Sequence, residues 1–299
     1  MAASVSPSKP ASRFPAFTSF RTTLEMIKIE HSVFALPFAL MGALLAARGL
    51  PALRQLGWIV IAMVGARSAA MSFNRIIDRH IDLQNPRTAA RAIPAGTLSV
   101  RFAVSFALVS CAVLIGAAYE LNSLAFRLSP VALAILIAYS YTKRFTIFSH
   151  IVLGFCLGMA PAAAWIAVRG SLSMSVLLLT AAVTLWTAGF DIIYACQDID
   201  FDRQAGLFSV PRRWGIGRAL QVSSILHLLM AALLLWLAVV EHLGWLSFLG
   251  IGVAGLLLIY EHSLVKPNDL SRLNAAFFNT NGWIGILLLL FWGIDIVVH

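Results

Sequence analysis

The chain alternates long apolar stretches with short polar ones. Nine stretches approach the ~20 apolar residues a helix needs to cross ~30 Å of hydrocarbon. They are residues 31–48, 57–77, 102–119, 123–141, 151–169, 174–196, 219–240, 244–264 and 275–297. None keeps the two-residue alternation of a barrel strand, so each reads as a transmembrane helix. The first is short and carries Pro37, which predicts a kinked or tilted helix. Ahead of it, residues 1–20 are rich in Ser, Pro and Ala and read as a loose tail, without the apolar core of a signal peptide. Residues 21–30, RTTLEMIKIE, read as a short interfacial helix, and residues 21–299 as a single membrane domain.

Composition agrees with the pattern. Of 299 residues, 60% are apolar and 12% charged, against roughly 25% charged in globular chains. With a mean hydropathy of +0.86, this excludes a disordered chain, a nucleic-acid module and a soluble α/β enzyme. The net charge of +9 is read as an orientation signal. When the N-terminus and every second loop are put on one side, that side holds seventeen of the 22 Lys and Arg residues. Only Arg48, Arg54, Arg127 and Arg169 fall on the other side, and Arg67 lies within a span. The richer side is expected to be cytoplasmic, which puts the C-terminus outside. Cys111, Cys156 and Cys196 lie in apolar runs without a CxxC pair and read as small buried hydrophobes.

The acidic residues carry the chemistry. Six of thirteen fall in two short windows, Asp78 and Asp82, then Asp191, Asp198, Asp200 and Asp202. Both windows lie at the expected cytoplasmic ends of spans, the second and the sixth. Carboxylates near a bilayer are costly unless paired, solvated or bound to cations. Asn74, Asp78 and Asp82 recur every four residues, so all three share one helix face. If the sixth helix continues, Asp191, Tyr194, Asp198 and Asp202 share an arc of ~80°, and Asp200 points the opposite way. Mg²⁺ takes oxygen ligands, commonly one or two carboxylates plus substrate phosphates. Two facing clusters of this kind suit metal ions bridging a diphosphate.

These residues also carry a resemblance. The segment Asn74-Arg-Ile-Ile-Asp78-Arg-His-Ile-Asp82 and the segment Asp191-Ile-Ile-Tyr194-Ala-Cys-Gln197-Asp198 resemble the two signatures of UbiA-type intramembrane prenyltransferases. The stretch from Arg87 through Arg91 and Pro94 to Gly96 resembles the loop after the first signature. Tyr139-Ser-Tyr-Thr-Lys143-Arg144 resembles the segment ending the fourth helix. The resemblance runs from about Lys28 to the end. It implies an all-α bundle of nine helices around a central cavity open to the bilayer, joining a polyprenyl diphosphate to an aromatic acceptor with Mg²⁺. Asn74, Asp78, Asp82, Asp191, Asp198 and Asp202 are then the metal and diphosphate residues, with Asp78, Asp82, Asp198 and Asp202 as the metal set. Arg75 stands where many relatives carry an acidic residue, which makes the first site less negative.

Such a reaction needs the leaving diphosphate neutralised by Mg²⁺ and fixed cations. Arg87, Arg91, Lys143, Arg144 and Arg203 lie near the windows on the same side and are expected at the diphosphate, together with Asn74. Arginine holds phosphate with two parallel bonds, lysine as a point charge. Arg101, Arg212, Arg213 and Arg218 read as headgroup anchors. An allylic cation needs a dry site and an aromatic face, for which Tyr194 is the expected residue. Trp165 and Trp186 read as packing. Asp191, about two turns deeper than Asp198, is the expected acceptor of the ring proton. The seven histidines show no metal-ligand spacing and read as loop or interface residues.

The resemblance further implies 4-hydroxybenzoate as the acceptor, with a dihydroxynaphthoate as the second choice, in ubiquinone or menaquinone synthesis in the bacterial inner membrane. The expected partners are polyprenyl diphosphate, the aromatic acid and membrane lipid, with no nucleic acid. A secondary transporter is the alternative, but transporters place charges near the midplane, whereas these carboxylates sit at one face. A structural subunit without chemistry would tolerate loss of the aspartates.

Overall fold

The computed structural model describes residues 22–23, 25–27 and 32–298. The tail at 1–20, most of the expected interfacial helix at 21–30, and His299 lie outside the described residues. Apart from one β-bridge between Lys266 and Asp269, all regular structure among the described residues is helical.

The helices are α1 (Ser32–Ala47), α2 (Leu53–Gln84), α3 (Val100–Leu121), α4 (Ser123–Thr142) and α5 (Ser149–Arg169). They continue as α6 (Met174–Ala195), the short α7 (Ile199–Gln204), α8 (Val210–Val240), α9 (Trp245–Leu264) and α10 (Asn281–Val298). Among the described residues eight helical segments are long and apolar enough to cross a membrane, and they coincide with the second to ninth expected spans. The first expected span is a 16-residue helix with Pro37 inside it. Among the described residues, eight long segments and this shorter apolar helix correspond to the nine expected stretches.

Local chemistry sets the ends of these helices. Ser99, Asn122, Ser173 and Ser209 each cap an N-terminus by accepting a backbone N–H two or three residues into the helix. Gly170, in the left-handed region at φ 67°, closes α5. Gly215, at φ 80°, kinks the first turns of α8 away from the rest, so this helix starts nine residues before the expected span. α2 runs for 32 residues, ~48 Å at 1.5 Å per residue. That exceeds the hydrocarbon thickness, so its last turns, which carry Asn74, Asp78 and Asp82, extend to one face of the bundle.

Successive helices pack as neighbours: α2 on α3, α3 on α4, α4 on α5, α5 on α6, α6 on α8, and α9 on α10. α1 closes the bundle by packing on both α5 and α10. Its core is aromatic, with Phe34, Phe38, Trp186, Phe190 and Trp292 buried among leucines from α6, α8 and α10. Glycines let α5 and α6 touch backbone to backbone. A Cβ on Gly154 would collide with the Thr184 carbonyl, and one on Gly158 with Thr184 Oγ1 and the Thr180 carbonyl. Gly154→Val is therefore expected to destabilise the bundle by at least about 1–3 kcal/mol. A fall of several degrees in the melting temperature of the detergent-solubilised protein checks this.

Candidate active site

A cavity of about 1300 Å³ opens among α1 to α6 and the segment before α10. Its deeper wall is apolar, with Ile59, Met63, Leu114, Leu128, Ile135 and Met159 among the lining residues. Its polar end holds Asn74, Asp78, Asp82, Asp191, Asp198 and Asp202 together. The two windows, more than 100 residues apart, thus meet at one mouth.

The first window behaves as one helix face. Asp78 and Asp82 are 2% and 4% exposed, whereas His80 between them is exposed. Asp78 receives Lys143 Nζ at 2.6 Å, Arg144 Nη2 at 3.0 Å and Asn74 Nδ2 at 3.1 Å. Asp82 Oδ1 receives Arg91 Nη1 at 2.7 Å, while its buried Oδ2 has no hydrogen-bond partner among the described residues. Arg75, the departure from the resemblance, is 7% exposed and lies with Nη1 3.4 Å from Asn74 Oδ1.

The second window departs from the expected continuous helix. α6 ends at Ala195, a 3-10 turn covers Cys196–Asp198, and α7 then starts. The 3-10 turn is tighter than an α-turn and so rotates the later residues relative to Asp191. Asp198 and Asp202 still reach the cavity, while Asp200 points out, its side chain 83% exposed. Asp202 Oδ2 accepts from Ser209 Oγ at 2.7 Å.

The loop after α2 joins the two windows. Asn85 precedes Pro86, and its side-chain carbonyl accepts the Arg87 N–H at 2.9 Å, closing an Asx-turn. The Asn85 amide then donates to Asp198 Oδ1 at 3.2 Å. Arg87 grips Asp198 with two prongs, Nε to Oδ1 at 2.9 Å and Nη2 to Oδ2 at 2.6 Å. Its guanidinium carbon also sits 5.4 Å from the centre of the Tyr194 ring. Burial would lower the Arg87 pKa, but the hydrogen bond and charge of Asp198 outweigh it and hold Arg87 above its ordinary value.

Tyr194 is backed by aromatic rings, with Phe277 centred 4.1 Å away and Phe278 6.2 Å away. Both Phe residues belong to a π-turn, Ala275–Thr280, that leads into α10. The Asn281 side chain donates to the Ala276 and Phe277 carbonyls at 3.3 and 3.2 Å and to Glu261 at 2.8 Å. Such wide turns recur at functional sites.

Three expectations are corrected here. Arg203, expected at the diphosphate, pairs instead with Asp200 at 3.4 Å, its side chain 57% exposed, and is not in the cavity lining. It lies three residues past Asp200, about one helical turn on, and so shares the exposed side of α7 with Asp200. His150, read as a loop or interface residue, is in α5, 4% exposed, with Nδ1 2.7 Å from Asp191 Oδ2. His227, read likewise, is 3% exposed in mid-helix, 3.0 Å from His262 and 3.2 Å from the Trp186 carbonyl. Asn85 also lines the cavity without having been singled out, as do Arg67 and Arg75, which were noted in the sequence without being given a place in the site. The Asn-Pro turn signal points to Asn85, and a charge inside an apolar span points to Arg67.

The donor set fits a hard divalent cation. It is all oxygen, carboxylate and amide, and it includes the unpartnered Asp82 Oδ2. No group of three or more Asp, Glu, His and Cys side chains among the described residues is close enough to hold an ion alone. Mg²⁺ commonly takes one or two carboxylates and completes its shell with water and substrate phosphate.

The model of the UbiA prenyltransferase family matches residues 35–294. A 4-hydroxybenzoate solanesyltransferase from Synechocystis sp. is 33% identical over 253 residues, covering 84% of this chain and 86% of the relative. The solved structure of a UbiA homolog from Aeropyrum pernix K1 aligns with a TM-score of 0.81 and 36% identity, covering 90% of this chain and 98% of that one. A UbiA homolog from Archaeoglobus fulgidus bound to GPP and Mg²⁺ shares the fold, with a TM-score of 0.73 at 19% identity, covering 93% of this chain and all of that one. An all-helical membrane bundle, two acidic windows meeting over one cavity and a family match along most of the sequence lead to one conclusion: this chain is a membrane-embedded enzyme that belongs to the UbiA prenyltransferase family.

Proposed function

We propose that the chain transfers a polyprenyl group from a polyprenyl diphosphate to an aromatic acid in quinone biosynthesis, with 4-hydroxybenzoate as the leading acceptor and a dihydroxynaphthoate as the second. One observation carries this reading: both acidic windows and the cations Arg87, Arg91, Lys143 and Arg144 converge at the mouth of a cavity whose deeper wall is apolar. The name of the Synechocystis relative supports the acceptor. The basic asymmetry of the loops supports a cytoplasmic N-terminus and mouth in an inner membrane.

Held by Asp78 and Asp82 on one side and Asp198 and Asp202 on the other, Mg²⁺ would neutralise the diphosphate and favour its departure. Arg87 and Arg91 offer two-pronged contacts to phosphate oxygens, Lys143 and Arg144 charge beside them, and Asn74 an amide. As the allylic C–O bond breaks, its electron pair leaves on the diphosphate. The carbocation left behind faces Tyr194, whose ring stabilises it and is itself braced by Phe277. The apolar wall keeps water from this cation and holds the tail, which would cost ~0.8 kcal/mol per CH₂ in water. Arg67 on that wall supplies the charge that an acceptor carboxylate needs in an apolar surrounding. The acceptor ring carbon forms the new C–C bond. The C–H electron pair then returns to the ring, and Asp191 takes the proton.

A mass-spectrometric product assay on membranes carrying the chain tests the proposal. Both acceptors are offered with polyprenyl diphosphates of several lengths, in Mg²⁺ or EDTA. Prenylated 4-hydroxybenzoate is expected in Mg²⁺ and background in EDTA. Product from the naphthoate alone would move the acceptor assignment, and no prenylated product from any combination would end the reading.

A further inference from the structure

Asp191 is held differently from three of the other cavity carboxylates. Asp78, Asp82 and Asp198 are paired with arginine or lysine. Asp191 has an imidazole instead: His150 Nδ1 lies 2.7 Å from Oδ2. The other ring nitrogen of His150, Nε2, accepts the backbone N–H of Val210 at 3.3 Å. A nitrogen that accepts an N–H bears no proton of its own, so the ring proton sits on Nδ1 and is donated to Asp191. Both ring nitrogens are thereby engaged, which fixes the orientation of the imidazole. It cannot turn without losing both bonds, and it is 4% exposed.

The fixing group is itself part of the site. Val210 is the first residue of α8, and Ser209, its N-cap, donates to Asp202 Oδ2 at 2.7 Å. One turn of backbone therefore holds Asp202 directly and Asp191 through His150. Among the described residues the imidazole bond goes to Oδ2, which leaves Oδ1 for the cavity that Asp191 lines. A single imidazole N–H orients the carboxylate through one oxygen, whereas a two-pronged arginine such as Arg87 on Asp198 occupies both.

We propose that His150 is the positioning residue of the prenyl transfer, holding Asp191 with one oxygen bound and the other presented to the ring proton of the acceptor. The inference rests on the role given to Asp191 under the proposed function. In the step it serves, the ring C–H bond breaks, its electron pair restores the aromatic ring, and the proton goes to Asp191 Oδ1. The Nδ1 proton of His150 stays in place. His150 acts on the proton-transfer step and leaves binding of the prenyl diphosphate to the other residues of the mouth.

Four variants of the full-length protein in lipid test this: His150→Ala, His150→Asn, Asp191→Asn, and the His150→Ala, Asp191→Asn double variant. Turnover is read with Mg²⁺ and both substrates saturating. Binding of a non-reactive prenyl thiolodiphosphate is read in parallel and also reports folding. His150→Ala is expected to lower kcat about tenfold to a hundredfold, with analogue binding within twofold of the parent. Asn places an amide N–H near the position of Nδ1, so His150→Asn is expected to recover most of the loss. In the Asp191→Asn background, His150→Ala is expected to cost nothing further, because residues acting as a unit are not additive.

Parental kcat in His150→Ala would overturn the proposal. So would an Asn variant no better than Ala, or two losses that multiply in the double variant. Parental turnover in Asp191→Asn would instead withdraw the role of Asp191, and this inference with it. If His150→Ala loses analogue binding, His150→Asn and its kcat decide in its place.

Discussion

Asp78→Asn is expected to lower kcat/KM for prenyl transfer by about 10³-fold. Asp78 is the most enclosed carboxylate of the mouth, 2% exposed, and it gathers Lys143, Arg144 and Asn74. An amide of the same shape fills the same space but carries no charge. It gives a divalent cation only a weak ligand and leaves two cations of the site uncompensated. The same change at Asp198, gripped by Arg87 across the mouth, is expected to act alike. Product formation by the purified enzyme in lipid, with substrate-analogue binding as the control for folding, reads the effect. Turnover near the parental value in either variant would remove that aspartate from the metal and diphosphate set.

Arg87→Lys should cost about 10²-fold in kcat/KM although the charge is kept. The native side chain makes two parallel bonds to Asp198 and lies over the Tyr194 ring, with Nη1 3.4 Å from the tyrosine oxygen. A lysine ammonium is a single point charge and cannot reproduce the fork. The loop from Asn85 onward would then lose its clamp on the second window, and with it the alignment of the two halves of the mouth. Arg87→Ala should fall further by the loss of charge. Equal activity in the Lys variant and the parent would mean that charge alone matters at this position. Steady-state kinetics against polyprenyl diphosphate at fixed acceptor separates the three cases.

Some of this site can be read along the chain because its logic is local. Asn74, Asp78 and Asp82 repeat at the helix period, and α2 runs unbroken through them, so their common face follows from spacing alone. The same argument is less secure for Asp191 to Asp202, because the helix tightens at Cys196–Asp198. Periodicity cannot anticipate a change of helix type. Arg203 shows the limit for charge. It is as close in sequence to the carboxylates as any cation, yet it stands on the outer face of a six-residue helix.

The amino-acid sequence by itself determined the membrane class, the positions of the apolar helices, the two acidic windows and the family. Each of these depends on composition or on spacing within one segment, where hydrophobicity and helix geometry act without distant help. The tertiary structure alone decided which faces meet. It put His150 on Asp191 across 41 residues, Arg87 on Asp198 across 111, and Phe277 on Tyr194. These pairings follow from close packing between helices, where a glycine such as Gly154 lets two backbones touch, and no repeat along a single helix encodes its neighbour.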